Sequence, residues 1–79
     1  MAWRTLKELD VAAGRPKGAA FRVFKRLEPS WREGAQFRVL RDGPEFAALR
    51  ASGRLYAASR VAILLAPDAA AAVRDALAV

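Results

Sequence analysis

The fold of this chain is decided by residues 5–27, TLKELDVAAGRPKGAAFRVFKRL. Thr5 and Glu8 have the spacing of a capping box, in which each side chain accepts a hydrogen bond from the other residue's backbone N–H. Apolar side chains then recur at helical spacing until Gly14, which suits the left-handed position after a helix. The sequence therefore predicts a first helix over residues 6–13.

A second helix is predicted over residues 19–27, after a short turn that contains Pro16 and Gly18. Projected at 100° per residue, its apolar side chains fill one side and its basic side chains fill the other. The apolar side consists of Ala20, Phe21, Val23, Phe24 and Leu27, and the basic side of Arg22, Lys25 and Arg26. This pattern predicts a helix that packs on a core and exposes a positive face.

Residues 36–41 predict a strand, because Phe37 and Val39 fall on one face and Arg38 on the other. Leu40 shares the face of Arg38, which weakens the alternation.

Start and stop signals divide the rest of the chain. The sequence DGPE at 42–45 begins a third helix, since proline suits the first turn, and 52–53 ends it. Residues 54–65 are predicted to form two strands, and 67–68 begins a last helix. The predicted order is α-α-β-α-β-β-α, a small α+β fold in one domain of 79 residues.

The positive charge is concentrated between positions 15 and 41. The chain has 14 basic and 8 acidic residues, a net charge of +6, and this segment holds the whole excess. Eleven of the 14 basic residues are arginine, whose planar fork suits phosphate, carboxylate and guanine. Clustered charge of one sign indicates a partner that presents phosphates or acidic side chains.

The chain contains neither histidine nor cysteine. The commonest general base, thiolate metal ligands and disulfides are therefore excluded. We expect a binding protein that is not an enzyme and uses no cofactor. The longest apolar run, residues 61–66, is too short to span a bilayer, and the N-terminus lacks a signal-peptide pattern, so we expect a cytoplasmic protein without membrane contact.

The first 27 residues resemble a helix-turn-helix, in which two short helices are joined by a four-residue turn and the second carries the positive charge. With strands and another helix behind them, the whole is similar to small winged helix-turn-helix proteins of phages and mobile elements, including excisionases and the amino-terminal domains of MerR-like regulators. The resemblance implies a DNA-binding regulator, often dimeric, whose second helix enters the major groove and whose strand hairpin contacts the backbone. This chain departs from that pattern by placing a helix between the strand at 36–41 and the later strands.

The residues expected to bind DNA or another anionic surface are all basic. In this resemblance, Arg15 and Lys17 stand at the entrance of the second helix, and Arg54 and Arg60 flank the predicted hairpin. The full set is Arg15, Lys17, Arg22, Lys25, Arg26, Arg38, Arg41, Arg54 and Arg60.

A second hypothesis is a protein-binding inhibitor. The chain is similar to phage-borne anti-CRISPR proteins in its size, its small α+β fold and its lack of catalytic residues. That resemblance implies that the basic segment occupies an acidic patch, or the nucleic-acid path, of a CRISPR effector complex. Binding to such a complex without affinity for free DNA would distinguish this hypothesis from the first.

Overall fold

The computed structural model describes residues 2–78, in which a three-stranded antiparallel sheet is combined with four α-helices. The elements are β1 (Arg4–Thr5), α1 (Leu6–Ala13), α2 (Ala19–Leu27), a 3-10 helix (Glu28–Ser30), β2 (Phe37–Leu40), α3 (Gly43–Ala51), β3 (Ala62–Leu65) and α4 (Pro67–Leu77). The central strand is β3, which pairs antiparallel with both β1 and β2. None of the helices in this part of the chain is long and apolar enough to cross a bilayer.

The helix boundaries follow from local signals, and the predictions for them are confirmed. Both hydrogen bonds of the capping box between Thr5 and Glu8 are present, and Gly14 ends α1 with φ of 65°. The second helix has the predicted bounds. The third ends at Ala51 with Ser52 as its C-cap residue, and the fourth begins at Pro67.

The predicted hairpin is wrong: residues 54–65 do not form two strands, since only Ala62–Leu65 is a strand. The short β1 is an additional strand that the sequence pattern does not predict. The observed order is therefore β-α-α-β-α-β-α. The strands β2 and β3 pair directly, although α3 lies between them in the sequence.

Between α3 and β3 the backbone forms no strand, and side chains bond several of its carbonyl groups. The Arg50 guanidinium donates hydrogen bonds to the carbonyl oxygens of Ala57 and Ser59. The Thr5 hydroxyl donates to the carbonyl oxygen of Arg54 at 2.6 Å. Three backbone acceptors of a segment without a strand partner are satisfied in this way.

The sheet carries apolar side chains on both faces. On one face, Phe37 and Leu65 pack with α1, α2 and α4 in the larger core. On the other, Leu64 packs with Leu49 of α3, and Leu40 packs against the same cluster. The position of Leu40, which weakened the alternation of β2, is thus explained by a second core that covers the opposite face.

Phe21 is not part of the core, which corrects the predicted apolar side of α2. It is 45% exposed, whereas Ala20, Val23 and Phe24 are buried. Phe21 lies about 100° around the helix from the fully buried Ala20, on the side of the exposed Lys25. The Phe21 ring contacts the protein through Phe24, with a centroid separation of 6.4 Å.

Candidate nucleic-acid interface

Asp10 fixes the position of α2 relative to α1. Its side chain is buried, and its Oδ1 accepts a hydrogen bond from the backbone N–H of Ala20 at 2.7 Å. Its Oδ2 accepts from the N–H of Gly18 at 3.1 Å. Gly18 is the N-cap residue of α2 and has no side chain with which to cap it. The carboxylate of α1 therefore supplies the acceptors and the negative charge that this helix N-terminus requires.

Tyr56 completes the surroundings of Asp10. Its hydroxyl donates a 2.6 Å hydrogen bond to Oδ2 of Asp10. Burial, this hydrogen bond and the negative charge of Asp10 raise the pKa of the Tyr56 hydroxyl to about 12. The Nζ atoms of Lys7 and Lys17 lie 5.8 and 5.3 Å from the centroid of its ring. Lys17, at the entrance of α2, is thus positioned by a cation–π contact that leaves its charge exposed.

The outer face of α2 presents two arginines without internal partners. Arg22 and Arg26 are exposed and one turn apart, and they line a shallow groove with Ala19 and Val23. Neither guanidinium forms a hydrogen bond or an ion pair with another described residue.

Two further side chains border these arginines. Lys25 forms an exposed ion pair with Glu28 at 2.8 Å, a type of pair that contributes little to stability. The exposed ring of Phe21 lies on the same helix. We use the term α2 surface for the set Lys17, Phe21, Arg22, Lys25 and Arg26.

Arg38 lies away from this surface. It is on the face of the sheet that carries Leu40, opposite the face that packs against α2. Its guanidinium pairs with Glu45 at 2.8 Å and lies 5.9 Å from the ring of Trp3.

Arg54 is likewise occupied inside the protein. It pairs with Glu8 at 2.9 Å and donates to the carbonyl oxygen of Trp3 at 2.8 Å. Burial acts to raise the pKa of Glu8, but the hydrogen bonds from Arg54 and Thr5 and the positive charge of Arg54 outweigh it and hold that pKa below the ordinary value of 4.5.

Arg15 caps the last helix. Its Nε and one terminal nitrogen donate to the carbonyl oxygen of Leu77 at 2.9 and 2.6 Å. A positive charge there complements the negative end of the α4 dipole. The two residues predicted to stand at the start of the second helix therefore differ. Lys17 extends into solvent, whereas Arg15 binds the backbone of α4.

Arg41 and Arg60 flank the same end of the sheet. The last residue of β2, Leu40, pairs with the first residue of β3, Ala62, and the two arginines lie just outside this pair. Both are exposed and form no ion pair with residues 2–78.

The predicted site residues leave out one exposed cation of the basic segment. Arg32 lies beyond the end of α2 and lines a surface groove with Trp31 and Gln36. Its side chain forms no hydrogen bond or ion pair within the described chain. Arg32 lies within the basic segment between positions 15 and 41, so the charge distribution of the sequence could have identified it.

The described residues contain no group of three acidic side chains that could hold a metal ion. No family model, curated protein or solved structure matches this chain. Its function is therefore inferred from the charge and geometry of the surface around α2.

Proposed function

We propose that the protein binds duplex DNA, with α2 in the major groove as the recognition helix of a winged helix-turn-helix. The observation that carries this proposal is that Arg22 and Arg26 have no partner among residues 2–78. Two guanidinium groups one turn apart are available to phosphate oxygens and to the O6 and N7 acceptors of guanine. Three of the candidate arginines, at 15, 38 and 54, bind the protein itself.

The rigid attachment of α2 also supports this proposal. Asp10 bonds two backbone N–H groups of the α2 N-terminus, and Val23 and Phe24 anchor the helix in the core. A helix held in this way loses little conformational freedom when it docks, so more of the contact energy is available for affinity. The sheet end with Arg41 and Arg60 takes the place of the wing in this proposal and contacts the DNA backbone.

The test is an electrophoretic mobility shift with random-sequence duplex DNA at several salt concentrations. Contacts with about four phosphates give a slope of about −3.6 in log association constant against log salt. The association constant is then expected to fall about a hundredfold between about 50 and 200 mM salt.

A charge-matched pair of variants locates the interface. Arg26→Ala should lower affinity and reduce the magnitude of the salt slope by about 0.9. Arg74→Ala removes the same charge from an exposed position on α4 and should leave affinity and slope close to those of the unmodified protein. No retardation of DNA at the lowest salt concentration would contradict the proposal. Binding to an acidic protein under the same conditions would then favour the inhibitor hypothesis.

A further inference from the structure

The exposed ring of Phe21 is the apolar feature of the α2 surface. Phe21 is 45% exposed, although the aromatic residue one turn later, Phe24, is buried. Leaving a large apolar side chain in water forgoes the stabilisation that its burial would give. This exposed ring lies on the same helix as the partner-free Arg22 and Arg26.

The place of Phe21 along the helix determines what it can contact. It is the third residue of α2 and therefore lies in the first turn. Recognition helices contact base edges with their N-terminal residues. In the major groove, the apolar group that a base pair presents is the 5-methyl group of thymine.

Part of the Phe21 ring is available for an apolar contact. Phe24 lies against it with the two ring planes inclined at 35°, and Phe21 keeps 45% of its surface exposed. An edge of a base pair in the major groove offers this ring the thymine methyl group as its apolar partner.

We propose that Phe21 contacts the thymine 5-methyl group in the major groove and gives the protein a preference for thymine. This inference rests on the proposed binding of DNA by α2. The arginines supply charge and contacts to phosphate or guanine, and Phe21 supplies the apolar contact.

The experiment compares two duplexes of about 20 base pairs, or two helical turns. One is alternating dA–dT, and the other carries dU in place of every dT, which removes the methyl groups and keeps the base pairs. Burial of one methyl group corresponds to an affinity about threefold to fivefold higher for the dT duplex. Phe21→Ala is expected to bind the two duplexes equally, and Phe21→Gln, which keeps side-chain length but presents an amide, should do the same.

Val11→Ala is the matched control. Val11 is 67% exposed, but it lies on α1 beside Gly53 and Arg54, away from the groove of Arg22 and Arg26. This variant should keep the full preference for dT.

The possible failures are distinguishable. If the unmodified protein binds both duplexes equally, or if both Phe21 variants keep the preference, the role of Phe21 is overturned while DNA binding stands. If the unmodified protein binds neither duplex, both proposals are overturned.

Discussion

The hydroxyl of Tyr56 donates a 2.6 Å hydrogen bond to Oδ2 of Asp10, 46 residues earlier in the chain. The same carboxylate accepts from the backbone N–H groups of Gly18 and Ala20 at the start of α2. The irregular segment between α3 and β3 is therefore attached to the junction that orients the α2 surface.

Asp10→Ala should destabilise the protein strongly. The substitution removes the cap of α2 and leaves two backbone N–H groups and the Tyr56 hydroxyl without their acceptor. The free energy of unfolding is expected to fall by at least about 2 kcal/mol, measured by urea denaturation.

The matched control for this variant is Asp42→Ala. Asp42 is the N-cap residue of α3, but its side chain makes no capping hydrogen bond, and it is exposed. Its replacement should change the free energy of unfolding by less than about 0.5 kcal/mol. Equal losses in the two variants would contradict the role assigned to Asp10.

Alkaline solution should weaken the attachment of Tyr56. Its pKa is raised from 10.0 to about 12 in the folded protein, so folding favours the neutral hydroxyl. The resulting stabilisation is complete below about pH 10 and is lost as the pH rises towards 12. The free energy of unfolding, measured by urea denaturation at several values between about pH 8 and pH 11, should decrease over this range in the unmodified protein.

Tyr56→Phe is the reference for that measurement. It removes the ionisable hydroxyl, so its stability should be lower near neutral pH and should depend less on pH in the alkaline range. An identical alkaline loss in both proteins would contradict the role assigned to the Tyr56 hydroxyl.

Acid solution should disrupt the pair formed by Glu8 and Arg54. The pKa of Glu8 is lowered on folding, so the stabilisation is present above its ordinary value of 4.5 and is lost as the pH falls through the lower folded value. Glu8→Gln should reduce the loss of stability between neutral pH and pH 3, measured by urea denaturation. Glu33→Gln, at an exposed carboxylate without an ion pair among the described residues, should keep the acid dependence of the unmodified protein.

The proposed contact of Arg41 and Arg60 with the DNA backbone can be tested separately. Removing Arg41 and Arg60 together should weaken binding of the dT and dU duplexes by the same factor, because phosphate contacts do not depend on the base. The magnitude of the salt slope should decrease by about 1.8, the value for two phosphates. An unchanged slope would show that this end of the sheet does not contact DNA.

The sequence by itself determined the helices. The capping box at Thr5 and Glu8, the glycine at 14, and the prolines at 44 and 67 act on neighbours within one helical turn, so their effect can be read without knowing the fold. The amphipathic pattern of α2 likewise determined that Arg22 and Arg26 face outwards.

Only the tertiary structure decided which cations remain available and how the strands pair. Arg38 and Arg54 meet Glu45 and Glu8 through chain reversals, and Arg15 meets the end of α4 from 62 residues away. The exposure of Phe21 depended on where the core ends around α2, and the second core on the far face of the sheet set the direction of Leu40. These contacts depend on how the folded elements pack, and for that reason residue spacing carries no signal for them.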